Sequence, residues 1–151
     1  MGVCYNHFAM KNQDRLIKLY LILIVGFPLI SHSLGWLVLI YVPLYFAMLI
    51  ISLFVAHNFY KTKETRQLLS INLWAYIFFW LFSVDAADAP NSLYYGYQVL
   101  PSWFNIGLPN LSESLVAVSG LLEYILPIAF FIISGLLIYK SARYRKLHNS
   151  K

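Results

Sequence analysis

Residues 19–55 read LYLILIVGFPLISHSLGWLVLIYVPLYFAMLIISLFV, and where this run is cut decides the fold. It is hydrocarbon and aromatic ring almost throughout. With Leu16, Ile17 and Ala56 it makes a block interrupted only by Lys18 and a few small polar residues. As a single helix that block would be roughly 60 Å long, against a bilayer core of about 30 Å. It therefore reads as two crossings joined by a reversal. Ser31, His32 and Ser33, with Gly35 just beyond, are the clustered turn formers at mid-length. A turn at Gly26-Phe27-Pro28 would leave the first crossing too short. Pro28 and Pro43 are then expected inside helices, where membrane proline kinks more often than it breaks.

Outward from that block the rest of the chain falls into place. The first two spans are expected at about 16–31 and 35–57, followed by a short basic loop to Gln67. A third span is expected at about 68–86, through Trp74 and Trp80. Residues 87–110 carry Pro90, Gly96, Pro101, Gly107 and Pro109, and read as a loop. The fourth span is expected at about 111–139, with Asn110 as its N-cap and Glu113 completing a capping-box-like pair. Residues 1–15 read as an N-terminal tail, loose up to Met10, and 140–151 as a basic C-terminal tail. No internal repeat is detectable.

Charge orients the bundle. The eleven Lys and Arg fall into three clusters: Lys11, Arg15, Lys18; Lys61, Lys63, Arg66; and Lys140, Arg143, Arg145, Lys146, Lys151. A four-span threading puts all of them on one side, with Asp14 and Glu64, and leaves Asp85, Asp88, Glu113 and Glu123 toward the other. Positive charge marks the cytoplasmic face. The expected fold class is an all-α, polytopic integral membrane protein, four transmembrane helices in an up-down bundle with both termini cytoplasmic. The expected location is the plasma membrane, a bacterial inner membrane or its equivalent.

Composition agrees. The chain is 60% hydrophobic and 11% charged, whereas a soluble domain carries about 25% charged residues. Its net charge of +5 flanks apolar spans, where lipid headgroups are the partner and nucleic acid is not. Cys4, the one cysteine, excludes an internal disulfide, a CxxC redox pair and a cysteine zinc site. Met1-Gly2 with Cys4 has the start of an acylation signal, but Asn6 stands where Ser or Thr is needed. The first apolar run is too long for the h-region of a signal peptide, about 7–15 residues.

Three features carry chemical interest. Counted along their helices, Asp85 lies roughly 29 Å from Arg66 and Glu123 roughly 25 Å from Lys140. His32, in the reversal, would share that depth, so His32, Asp85 and Glu123 form a candidate polar or ion site with Asp88 beside it. A carboxylate at the hydrocarbon edge is costly and needs a partner, and no Lys or Arg lies on that side. One His with scattered carboxylates has no metal-ligand spacing, so no metal or cofactor is expected. The second feature is a seam at three-four spacing: Ser112, Val116, Ser119, Glu123, Pro127, Phe130 and Ser134, with Gly120 and Gly135 alongside. A shorter one runs through Asn72, Tyr76, Phe79 and Ser83. Small and hydroxylated residues let membrane helices approach and hydrogen-bond. The third is the loop's aromatic set, Tyr94, Tyr95, Tyr97, Trp103 and Phe104, a candidate partner or lipid contact.

Absences narrow the function. There are no cysteine pairs for quinone-linked disulfide chemistry. Spans one and two hold no acid of the kind small multidrug antiporters carry. No span holds an Arg of the kind glutathione-using four-span enzymes carry, and there is neither a Gly-rich phosphate loop nor an HExxH pair. The expectation is a non-enzymatic accessory, assembly or protective (immunity-like) subunit that binds a membrane protein partner or a second copy of itself. The alternative is a small oligomeric transporter or proton-coupled channel subunit, with Glu123 titrating and Asp85 near the entrance.

Overall fold

The computed structural model describes residues 3–31, 38–86, 93–95 and 113–149, with side chains over 15–29, 41–83, 114 and 116–148. The described residues form four helices: α1 (Val3–Ser31), α2 (Val38–Asn58), α3 (Lys63–Phe82) and α4 (Glu113–Asn149). Besides these there are two three-residue strands, β1 (Val84–Ala86) and β2 (Leu93–Tyr95), paired antiparallel with Asp85 opposite Tyr94. α2 and α4 are long and apolar enough to cross a membrane. α3 is shorter and opens on the polar turn Lys63, Glu64, Arg66 and Gln67.

Pairwise contacts set the direction of each helix. Tyr20 bonds Asn72 and Tyr76 bonds Ile24, both pairs 52 residues apart, so α1 and α3 run the same way. Glu64 meets Lys140 while Asn72 meets Ser134 and Tyr76 meets Phe130, so α4 runs against α3. Tyr41 packs on Phe79, far along α3, while Tyr20 reaches Ser52 from α1, so α2 is antiparallel to both. The helices alternate in direction. The basic clusters of α3 and α4 meet at one end through Glu64 and Lys140, and Arg145 ties in the end of α2 by donating to the Asn58 carbonyl at 3.1 Å.

Several elements depart from the expected bounds. The helical backbone of α1 reaches back to Val3, through residues expected to form a tail. α4 does not stop with its apolar part at Tyr139 but continues through the basic segment to Asn149. Lys and Arg are good helix formers, and basic side chains suit a helix C-terminus. α3 ends at Phe82, short of the expected 86. There the Ser83 N–H still donates to the Phe79 carbonyl at 2.8 Å, but Ser83 itself is extended, and its hydroxyl donates to the Trp80 carbonyl at 3.1 Å. A carbonyl left over at the helix end is thereby satisfied, and the chain leaves as β1. Pro28, Pro43 and Pro127 sit inside helices.

At the start of α3, Thr62 Oγ1 accepts from the Thr65 N–H at 3.1 Å, and Thr65 Oγ1 accepts from the Thr62 N–H at 2.8 Å. This is a capping box with Thr in the place usually taken by Glu or Gln. The Thr65 hydroxyl donates in turn to the Tyr60 carbonyl at 2.6 Å, pinning the α2–α3 connection.

The buried stripes follow three-four spacing: Met48, Ser52, Val55 and Phe59; Leu69, Asn72, Tyr76, Phe79 and Ser83; Phe130, Ser134, Leu137 and Ser141. Four of these thirteen positions are serine and one is asparagine. The outer faces carry instead Leu19, Ile22, Leu53, Phe54, Trp74, Ile128, Ile132 and Tyr139. Ile128 is 60% exposed and Tyr124 74%, while Asn72 and Ser134 are at 0%. Large apolar side chains thus cover the outer faces as well as most of the core, unlike a water-soluble bundle, whose apolar stripe faces inward and whose outer face is polar.

Candidate functional site

The feature that joins all four helices is a buried chain of neutral hydrogen bonds at mid-bundle. Asn72 of α3 is its hub. Its Nδ2 donates to the Phe130 carbonyl at 3.0 Å and to Ser134 Oγ at 2.9 Å, both on α4. A carbonyl can only accept, so the amide nitrogen must face α4 and Oδ1 must face α1. Tyr20 of α1 donates its hydroxyl to that Oδ1 at 2.7 Å. The same hydroxyl lies 3.1 Å from Ser52 Oγ on α2, whose own proton goes to the Met48 carbonyl at 2.7 Å. Tyrosine has one proton for two acceptors, and shares it in a three-centre bond whose shorter arm goes to the amide oxygen. One turn above, Tyr76 donates to the Ile24 carbonyl. The edges of Tyr41, Tyr45 and Tyr76 pack on Trp80 and close the core around the network.

Every member is neutral, so none needs a counter-ion. That suits an apolar medium, where a charge at the helix centre costs about 2.5–3.5 kcal/mol or more. Hydrogen bonds between membrane helices average only about 0.6 kcal/mol each. Leaving one of these buried groups unpaired costs about 1–3 kcal/mol. The network therefore penalises wrong registers more than it strengthens the right one.

A second cluster occupies the basic end. Lys140 pairs with Glu64, and the Tyr144 hydroxyl donates to the other carboxylate oxygen at 2.7 Å. Tyr60 stacks on Tyr144, ring centres 6.4 Å apart and planes at 16°. The paired side chains are 33% and 44% exposed, so water and salt screen the ion pair and its contribution is about 0–1 kcal/mol.

The expected seams map onto this core in part. Asn72, Tyr76, Phe79 and Ser83 are all buried, as are Ser119, Pro127, Phe130 and Ser134. Val116 is exposed, and Ser112 lies outside the described residues. Gly120 and Gly135 are not approached: a Cβ on either would meet nothing within 4 Å. The hydroxyls, not the glycines, make the helix contacts.

Of the expected ion site, only Asp85, by its backbone, and Glu123 fall among the described residues. Asp85 is not on a helix, because α3 ends at Phe82, so a depth counted at helical rise no longer applies to it; it sits in β1 opposite Tyr94. His32 and Asp88 lie outside the described residues. Glu123 is half-buried on α4 and is not without a partner. Of the aromatic loop, Tyr94 and Tyr95 lie in β2, and Tyr97, Trp103 and Phe104 fall outside the described residues. Among the described residues no three His, Cys, Asp or Glu side chains could hold a metal ion. Tyr20 and Ser52 are the members that reading the sequence missed. The available signal was a tyrosine hydroxyl within an apolar run, which needs a partner once buried.

Compared with family models, with curated proteins and with solved structures, the chain has no match.

Proposed function

We propose that the chain is a four-span integral protein of a bacterial inner membrane, or an equivalent membrane, with both ends cytoplasmic. It acts by binding a membrane protein partner as an accessory, assembly or protective subunit. The observation that carries this reading is the apolar exterior: large apolar side chains face outward, while Ser52, Ser134, Asn72 and the Tyr20 hydroxyl are hydrogen-bonded inside. In water so continuous an apolar exterior is an aggregation liability; against lipid or another helix it is the normal surface. The gathering of basic clusters at one end of alternating helices supports the orientation.

The core around Asn72 is filled by its own hydrogen-bonded side chains, so the working surface is the outside. On α3 that surface carries a ladder: Trp74 stacks on Phe78 with ring centres 5.5 Å apart, and Phe78 leans on Phe82 at 6.3 Å. Trp74 is 54% exposed and Phe78 42%. Large aromatic rings of this kind are the usual anchors of an interface. The aromatic residues Tyr94, Tyr95, Tyr97, Trp103 and Phe104 are, on the sequence, a further candidate for partner or lipid contact.

Cross-linking in native membranes followed by purification is expected to recover one dominant partner. Trp74→Ala with Phe78→Ala should reduce its yield several-fold while the helix content by circular dichroism is unchanged. Recovery of the chain alone, or equal recovery with the double variant, would remove the binding role. A periplasm-dependent reporter fused after Asn91 is expected to be active, and activity only of a cytosolic reporter there would remove the topology. One observation favours the transporter reading: Glu123 is a half-buried carboxylate among apolar neighbours on α4. Loss of proton-linked flux in Glu123→Gln, with normal insertion, would favour that alternative.

A further inference from the structure

A cavity of about 780 Å³ opens between α1 and the start of α3. Its wall is apolar, with Leu16, Leu19 and Leu73, and its mouth carries Lys61, Lys63 and Arg66. We propose that this groove holds one anionic glycerophospholipid, with its phosphate among the three cations and an acyl chain along the three leucines. The volume lies within the range of about 300–1,000 Å³ typical of ligand sites.

Charge complementarity selects the occupant. Among the described residues that line the groove none is acidic. Glu64 lies in the same first turn of α3, but Lys140 and Tyr144 hold its carboxylate on the α4 side. A smaller cavity of about 200 Å³ lies there, lined by Glu64, Lys140 and Arg143. That one contains the acid as well as the cations, and so is poorly matched to an anion. Leu19 both lines the larger groove and is 53% exposed, so its apolar wall continues onto the outer surface. A cationic mouth above an apolar wall that opens sideways is matched by an amphiphile with an anionic head. Basic pockets between membrane helices on the cytoplasmic side bind such heads.

The inference rests on the membrane reading above, and the experiment separates the two. The full-length protein in mild detergent is titrated by native mass spectrometry with phosphatidylglycerol, with phosphatidylcholine of the same chains, and with inorganic phosphate. One phosphatidylglycerol is expected to bind at least tenfold more tightly than either competitor. Each cation near a lipid surface is worth about fivefold in affinity, so Lys61→Gln, Lys63→Gln and Arg66→Gln together should weaken binding on the order of a hundredfold. Leu19→Asn should weaken the lipid and leave inorganic phosphate unchanged, and Arg143→Gln, at the smaller cavity, should change neither. Circular dichroism checks that each variant is folded. Equal binding of phosphatidylcholine, inorganic phosphate binding as tightly as the lipid, or loss of binding in Arg143→Gln in place of the triple variant would overturn the proposal. If the chain proves soluble without detergent, short-chain phosphatidylglycerol in plain buffer gives the same comparison, so failure of the membrane reading and failure of the lipid site are distinguishable.

Discussion

The middle and the basic end of this bundle solve the same problem with different chemistry. At mid-bundle, Tyr20, Ser52, Asn72 and Ser134 hold four helices together with neutral, fully buried hydrogen bonds. At the basic end, Glu64, Lys140 and Tyr144 join α3 and α4 through a charged contact that stays a third or more exposed at the ion pair. The contrast follows solvent. Where water cannot reach, a charge is too costly and a directional neutral bond is decisive. Where water reaches, charge is tolerated but is worth little. Register should therefore be set in the middle, and the end should adjust to salt.

The sharpest way to break that contrast is to place a charge in the middle. Asn72→Asp keeps the shape of the side chain but removes both donors to α4. At neutral pH it should destabilise the bundle by about 3 kcal/mol or more, read from denaturant unfolding in detergent followed by circular dichroism. A loss under 1 kcal/mol would mean that water enters the core. Next in size, Asn72→Ala removes the hub without adding charge and strands the Tyr20 and Ser134 hydroxyls. The expected cost is about 1–3 kcal/mol, insensitive to ionic strength. Tyr20→Phe should cost about 1 kcal/mol, because Asn72 Oδ1 loses its donor while Ser52 keeps its bond to Met48. A double-mutant cycle between Tyr20→Phe and Asn72→Ala should give a coupling above 0.5 kcal/mol, and strict additivity would deny the bond. Smallest is Glu64→Gln, expected to cost about 0.5 kcal/mol at low salt and nothing measurable near 1 M salt, where the screening length is about 3 Å. A salt-independent effect there equal to that of Asn72→Ala would erase the distinction between the two regions.

Much of the helical plan is legible residue by residue. Leu19–Val55 is too long for one crossing, and α1 and α2 divide it. The three-four spacing of Asn72, Tyr76, Phe79 and Ser83 marks the buried face of α3, because side chains that far apart share a helix side. Helix ends were harder. α3 stops at Phe82 although no glycine or proline follows until Pro90, because Ser83 satisfies the end by its own hydroxyl. α4 runs on past Tyr139 because the end of an apolar run does not end a helix, which stops only where its hydrogen bonds do. The polar network was half visible. Asn72 and Ser134 stand in the three-four seams of the sequence, while Tyr20 lies in the long apolar run outside any such seam. The grouping of His32, Asp85 and Glu123 assumed that α3 extended to 86; with Asp85 in β1, a shared depth along parallel rods is no longer the argument for it.

By itself, the amino-acid sequence determined that this chain is helical, rich in apolar side chains and basic in three places, since these follow from composition and periodicity along one strand of chain. Which polar groups meet was decided only in three dimensions. Tyr20 and Asn72 are 52 residues apart and Asn72 and Ser134 are 62 apart. No local propensity links positions at such distances. The partner of a buried hydroxyl is set by how whole helices align. Tertiary packing also drew Glu64 toward Lys140 and left Lys61, Lys63 and Arg66 around a groove without an acid among its described lining. Lys63, Glu64 and Arg66 in one turn of α3 acquire different roles because helix geometry sends their side chains to different sides.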